Sequence, residues 1–440
     1  MPPKMWPAPV ATDPVRGTVQ VPGSKSVANR ALLLSCLADD ESTISGLPLQ
    51  ARDIKLMIAA LRALGFGIEQ LSDPAKRAVR VTPRPISAPA TVACGLAGTV
   101  MRFLPPIAGL ANGEVRFDGD AEARTRPMTA MLTALTRLGI EIDDGGRGSL
   151  PFTVIGHGEV AGGTVDIDSA ASSQFVTALL LSGANFSNGV QVRHRGGKVP
   201  SLPHIRMTCK MLAQHGVEVS ESLQDRHRAD WTVMPGPLRA LDRVVEPDLS
   251  NALPLAVAAL VTGGEIVIAD WPADNLQPGN EVIELLGQLG ATTESVADGL
   301  LVRGTGRVRG INLDMRDIGE LVPTVAAVCA VADAPSKLTG IGHITGHETD
   351  RLAALAAEIN GLGGDVSATS DELLINPRPL HGGSWATYRD HRMATAGAII
   401  GLVTPKVLVE DIETTSKTFA EFPQVWRTLV NPAAEAAGRL

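Results

Sequence analysis

Two series of helical segments recur along this chain at almost the same interval, and this constrains the fold more than any other feature. Members of the first have a polar start, a small-residue apolar body and a short strand after it. They begin near Lys25, Leu96, Ser172, Ser250, Gly319 and Asp390, with gaps of 71, 76, 78, 69 and 71 residues. Members of the second are amphipathic and mostly end on glycine. They start near Met57, Met131, Met207, Val282, Leu352 and Glu421, which are 74, 76, 75, 70 and 69 residues apart. Two independent series sharing one period imply six copies of a βαβαββ unit, each with two helices and several strands. Gly65, Gly139, Gly216 and Gly290 fall where a helix C-cap wants a left-handed residue. The amphipathic helices bury one face. The bodies of the first series, such as ALPLAVAALV and VPTVAAVCAVA, are apolar all round and must be central.

A chain of 440 residues exceeds one compact core, and six units divide naturally into two α/β domains of three. A crossing near residues 243–247, in VVEPDLSNA, gives one domain over 21–245 and a discontinuous one over 1–20 plus 246–440. Aromatics make up only 3% of the chain, so Ala, Leu, Val and Ile must build the cores. A net charge of -8 provides no basic field for a nucleic acid. Cys36, Cys94, Cys209 and Cys329 show no CxxC pairing and read as free, mostly buried thiols of a reducing compartment. The N-terminus lacks the apolar core of a secretory signal, and no apolar run approaches the roughly 18 residues of a membrane span. These features predict a cytoplasmic protein with no membrane partner. With no long exposed apolar stripe, a monomer is expected.

Within this acidic chain, cations stand at the starts of helices. Lys25 lies in PGSKSVANR, Arg102 in GLAGTVMRF, Arg126 directly before Pro127, Arg351 after ETD, and Arg392 after Asp390-His391. Each is mildly unfavourable against the positive end of a helix dipole, by about 0.3–1 kcal/mol. Five such clashes predict that anions belong there. PGSKSVANR is no P-loop, because the second glycine of GxxxxGK[ST] is missing. In GLAGTVMRF, Gly98 permits close approach to the backbone and Thr99 is a candidate cap. DSAASSQF offers Ser172, Ser173 and Gln174 as neutral hydrogen-bond groups at one helix start. ITGHETDRLAAL and YRDHRMATAGAII each join a carboxylate, an arginine and a histidine. There Glu348 is a candidate acid or base, and Arg351 and Arg392 are candidate grips for a carboxylate or phosphate. As bland alternatives, Asp350 and Asp390 are plain N-caps that pair with those arginines. His343 and His347 suggest a metal site only superficially, since HExxH is absent and Gly346 interrupts the helix, so no metal is expected. GxSxG and GxGxxG are absent as well.

Seven motifs in this order, spread over nearly the whole chain from PGSKS to TTSKTFAEFP, resemble the enolpyruvyl transferase family. The resemblance implies two inverse α/β domains of three repeats each, with the active site in the cleft between them. It also implies transfer of the enolpyruvyl group of phosphoenolpyruvate to the 5-hydroxyl of shikimate 3-phosphate, without metal or organic cofactor. Carried over position by position, Lys25, Gly98, Arg126, Gln174, Arg351, Arg392 and Lys417 would hold phosphoenolpyruvate. Lys25, Ser26, Arg30, Ser172, Ser173, Gln174, Ser201, Glu320, His343 and His347 would hold shikimate 3-phosphate. Lys25, Glu320 and Glu348 are the acid–base candidates, with Glu320 favoured as base at the attacking hydroxyl and Glu348 as proton donor to the methylene. Four positions depart from the family pattern: Glu320 stands for the commoner Asp, His343 and His347 for Asn and Lys, and Leu96 for Asn. The branch acting on UDP-N-acetylglucosamine is the alternative. It typically carries a cysteine where this chain has Ala121, and a KNA-like motif in place of KSVANR. A catalytically dead paralogue would lack one of Lys25, Glu320 or Glu348, and all three are present. The Gly98-Thr99 pair resembles the glyphosate-inhibited class of the family.

Overall fold

The computed structural model describes residues 4–73 and 76–431. The chain forms two compact units, Gly23–Val245 and a discontinuous one of Met1–Pro22 with Glu246–Leu440.

In the unit Gly23–Val245 the repeat is explicit. Ser42–Ser45 runs parallel to Arg243–Val244 and antiparallel to Val79–Thr82, which pairs antiparallel with Gly67–Gln70. Ala90–Ala93, Asn112–Asp118, Phe152–His157 and Glu141–Asp143 repeat that order and those directions. So do Gly163–Ile167, Val190–Arg195, Arg228–Val233 and Val219–Leu223. A central helix leads into the second strand of each set: α1 (Lys25–Cys36), α2 (Gly98–Ala108) and α3 (Gln174–Gly183). These bury nearly every residue after the first turn, as their all-round apolar sequence requires.

The discontinuous unit repeats the plan around α4 (Leu249–Thr262), α5 (Val322–Cys329) and α6 (His391–Gly401). Its sheets are Arg16–Val19 with Glu265–Ala269, Gly299–Arg303 and Thr292–Val296, and Asn312–Asp314 with Ser336–Thr339, Glu372–Asn376 and Asp365–Ala368. The third is shorter. Val407–Glu410 pairs parallel with Gly383–Trp385 and antiparallel with Met5–Pro7, so the N-terminus supplies a strand that the last repeat does not make. Arg243–Val244 likewise gives the first repeat its opening strand. The repeats are therefore offset from the chain termini, which pattern alone does not reveal.

The amphipathic helices begin up to five residues before their apolar markers, as Arg52–Ala63 and Leu202–Gln214 show against Met57 and Met207. Apolar spacing reports the buried face and misses a polar first turn. Gly65, Gly139, Gly216 and Gly290 have φ of 94°, 94°, 82° and 107°, the left-handed conformation that a C-cap demands. Cys36, Cys94 and Cys329 are buried free thiols, and Cys209 is partly exposed. No helix among the described residues is long and apolar enough to cross a membrane.

Candidate active site

Each unit carries its own set of candidate groups. In Gly23–Val245 the starts of α1, α2 and α3 are tied together by side chains. Asn29 donates to Thr99 Oγ1 at 2.8 Å, Arg102 to Gln174 Oε1 at 2.8 Å, and Arg30 to Thr177 Oγ1 at 3.5 Å. Thr99 is therefore no cap: α2 opens at Gly98 after Ala97, and the Thr99 hydroxyl is spent on Asn29. Arg30 is buried, with its guanidinium 5.3 Å from the Phe103 ring centroid. It donates to Thr208 Oγ1 and to the carbonyls of Ser26 and His204. Among the described residues its partners are all neutral, and burial pulls its guanidinium down to about 9, so it remains charged at neutral pH. A buried cation held only by neutral acceptors is suited to an incoming anion.

Gly98, Arg126 and Gln174, expected together, are together. A Cβ on Gly98 would lie 3.1 and 3.2 Å from the two terminal nitrogens of Arg126 and 3.3 Å from Gln174 Oε1. Arg126 donates only weakly to the Leu96 carbonyl, at 3.4 Å, and its buried Nε meets no acceptor among the described residues. It lies in the turn after the short helix Ala121–Arg124 and not at a helix start, which corrects the expectation from the dipole. Lys25 does open α1, where Asp53 pairs with it at 3.1 Å. Asp53 carried no motif; its place in the first turn of Arg52–Ala63 becomes meaningful only once folded. Ser172 accepts from the Gln174 backbone N–H, and Ser173 caps α3. Ser201 precedes Leu202–Gln214 with φ 52°, a strained conformation for a non-glycine residue and one that gathers at functional sites.

Arg102 appeared in sequence only as one cation among several. An arginine N–H can only donate, so its bond fixes Gln174 Oε1 as acceptor and leaves the Gln174 amide nitrogen to face a ligand. Its Nη1 also reaches Ser172 Oγ at 3.4 Å. On the role that the resemblance implies for Gln174, we expect Arg102→Met to raise KM for phosphoenolpyruvate about tenfold, the worth of one buried charge-assisted bond. Unchanged KM values for both substrates would show that Gln174 orients itself.

In the discontinuous unit, Arg351 is the hub. It is 1% exposed and donates to Asp390 at 2.7 and 3.2 Å, to Glu348 at 2.9 Å and to His347 Nδ1 at 2.9 Å. The anions wanted at this helix start thus come from the protein itself. Asp350 and Asp390 are N-caps, as the bland reading had it, but Asp390 also holds Arg351. His347 Nδ1 accepts from a guanidinium and so carries no proton, which rules out the charged imidazole that stands open in the sequence. Lys417 grips the other oxygen of Glu348. Burial pushes the Glu348 carboxyl up, but Lys417 and Arg351 outweigh it and hold the carboxyl well below the usual carboxylate range. Arg392 donates to Ser250 Oγ at 3.0 Å, and Ser250 in turn bonds Asp248 at 2.5 Å. Asp248 and Ser250, in a segment read only as a boundary, therefore help to place Arg392.

Glu320 sits in the turn Gly319–Leu321 that runs into α5, within electrostatic reach of Arg351, Arg392 and His343. His343 packs so closely over Gly319 that a Cβ there would meet its Nε2 at 2.4 Å. Burial lowers the His343 pKa, and Glu320 opposes this only in part, while Arg316 reinforces it and Asp371 opposes it. His343 therefore contributes stability that is present above its ordinary value of 6.5 and is lost as pH falls through the lower folded value. Thermal melts between about pH 7.5 and 5 should show a smaller acid-side drop in His343→Asn than in the wild type. Parallel curves would remove His343 from the acid response.

Comparison with known proteins bears on both sets. Two EPSP synthase structures from Acinetobacter baumannii superpose with TM-scores of 0.79 and 0.77 at 24% identity. The first match covers 97% of this chain and 98% of that one, and the second 96% and 97%. The enolpyruvyl transferase NikO from Streptomyces tendae superposes with a TM-score of 0.74 at 16% identity, over 97% of this chain and 98% of that one. At these identities the structures establish the fold. The sequence model of one family matches residues 10–426, and on that ground the chain belongs to the EPSP synthase (3-phosphoshikimate 1-carboxyvinyltransferase) family.

Proposed function

We propose that this chain transfers the enolpyruvyl group of phosphoenolpyruvate to the 5-hydroxyl of shikimate 3-phosphate, with both sets of side chains serving one reaction. The observation that carries the reading is that each unit holds an anion-ready site, the two of different character. One is Arg126, whose terminal nitrogens lie against Gly98 and whose buried Nε has no acceptor among the described residues. The other is Glu348 clasped by Lys417 and Arg351.

In the first step the 5-hydroxyl oxygen bonds to C2 of phosphoenolpyruvate, the hydroxyl proton goes to a base, and C3 gains a proton to become a methyl group. In the second, a methyl proton is removed and the C2–O bond to phosphate breaks, giving the enol ether and free phosphate. Glu320 suits the base, and Lys25, held by Asp53, assists. In the resting arrangement Glu348 is ionised and cannot donate. It becomes a donor when the carboxylate and phosphate of phosphoenolpyruvate draw Arg351 and Lys417 away, since losing nearby cations raises a carboxyl's pKa. Lys25, Gly98, Arg126, Gln174, Arg351, Arg392 and Lys417 are assigned to phosphoenolpyruvate. Lys25, Ser26, Arg30, Ser172, Ser173, Gln174, Ser201, Glu320, His343 and His347 are assigned to shikimate 3-phosphate.

We read the protein as a cytoplasmic monomer that uses no cofactor and does not bind nucleic acid. The net charge of -8 and the four free thiols support this. Phosphate release with phosphoenolpyruvate plus shikimate 3-phosphate, and separately with phosphoenolpyruvate plus UDP-N-acetylglucosamine, tests the activity, with the product confirmed by mass. Turnover is expected only with the shikimate substrate. Turnover only with the sugar nucleotide, or binding without turnover, would overturn the reading.

A further inference from the structure

The strand Val190–Arg195 carries His194 near its end, with no exposed surface. Both ring nitrogens face partners of fixed polarity. The backbone N–H of Ser169 lies 3.2 Å from Nδ1, and an N–H can only donate, so Nδ1 is unprotonated. The Gly197 carbonyl lies 2.7 Å from Nε2 and can only accept, so Nε2 carries the proton. Ser169 Oγ sits 2.8 Å from the same Nδ1. A serine that close to a histidine invites comparison with a nucleophile and its base, but Ser169 too is wholly buried and no substrate can reach it. The pair is a tie.

What it ties are two loops. Ser169 opens the turn that ends in Ser172, whose N–H donates to the Ser169 carbonyl at 3.0 Å. Gly197 belongs to the loop that delivers Ser201 in its strained left-handed conformation. The loops touch backbone to side chain: a Cβ on Gly196 would lie 2.3 Å from the Asp168 carboxyl carbon, and one on Gly197 2.8 Å from Ala170 Cβ. His227, donating from Nδ1, holds the Gly196 carbonyl at 2.9 Å from the far side.

We propose that His194 is a positioning residue that sets the spacing between the Ser172–Ser173 turn and Ser201, and so sets affinity for the phosphorylated ring. The proposal rests on the assignment of those serines to shikimate 3-phosphate. His194→Asn keeps an acceptor near Nδ1 and loses the bond to Gly197; the longer side chain of His194→Gln reaches the Nε2 position and keeps that bond. The asparagine variant should raise KM for shikimate 3-phosphate about tenfold, and glutamine should recover most of the loss. At saturating shikimate 3-phosphate, kcat and KM for phosphoenolpyruvate should stay within about twofold, because the 2.8 Å bond from Arg102 fixes the Gln174 side chain more firmly than its 3.3 Å backbone bond to Ser172. Equal rises in both KM values, a fall in kcat alone, or glutamine no better than asparagine would overturn the proposal. If the asparagine variant does not fold, Ser169→Ala, which removes one contact to Nδ1 and leaves the ring in place, is judged by the same KM split. Wild-type enzyme in the same assay separates the two readings: no turnover with shikimate 3-phosphate sinks the assignment itself.

Discussion

Replacing Gly98 by alanine should raise the inhibition constant for glyphosate by about 10- to 100-fold, against a rise of only a few fold in KM for phosphoenolpyruvate. The new Cβ would lie 3.1 and 3.2 Å from the Arg126 terminal nitrogens and 3.3 Å from Gln174 Oε1, closer than such atoms normally approach. One neighbour must give way. Gln174 is anchored by Arg102 at 2.8 Å, whereas among the described residues Arg126 has only its 3.4 Å bond to the Leu96 carbonyl. Arg126 therefore moves, and its guanidinium tilts by a few tenths of an ångström. An inhibitor that fills the space beside Gly98 loses that space to the methyl group, whereas a smaller substrate can follow the shift. Inhibition constants measured for both forms under identical substrate levels decide the matter. Equal constants would mean that Arg126 absorbs the methyl group without cost and that Gly98 does not gate the pocket.

The architecture was legible because each repeat must hide the same faces. The all-apolar bodies of α1 to α6 could only be central helices, and the four cap glycines could only be helix ends. The strand exchange at the termini was not legible, because Met5–Pro7 and Arg243–Val244 are too short to carry a pattern and gain meaning only through partners far along the chain. Groups that touch ligands in the family surfaced through motifs. Asp53, Arg102 and His194 did not surface as site residues, because each acts on another side chain at long sequence separation. Helix-dipole reasoning overreached twice, first in placing Arg126 at a helix start when it lies in a turn. It also took every cation at a helix start as waiting for a ligand, whereas Arg351 already faces two carboxylates of its own chain.

Glu348→Gln should lower kcat by about 10²- to 10⁴-fold without raising KM for phosphoenolpyruvate. In the resting arrangement the Glu348 carboxylate competes with the substrate, because Lys417 and Arg351 are bonded to it. Glutamine removes the competitor's charge and leaves both cations free to bind substrate anions, so ground-state affinity holds or improves while the proton supply is lost. Lys417→Met is the contrasting variant: it deletes a substrate cation and should lose affinity and turnover together. The same substitution at Glu348 also costs stability. It leaves Lys417 and Arg351 buried with one fewer anion, a loss of about 3–5 kcal/mol for breaking a buried pair from one side. The wild-type carboxyl is held below its ordinary value of 4.5, so its stabilisation is present above that value and is lost as pH falls through the depressed one. Acid unfolding of Glu348→Gln should lack that part of the curve, starting lower and falling less. A variant whose KM for phosphoenolpyruvate rises in step with its fall in kcat would show that Glu348 orders the pocket and donates no proton. In that case Lys25, paired with Asp53, would be the donor to test next.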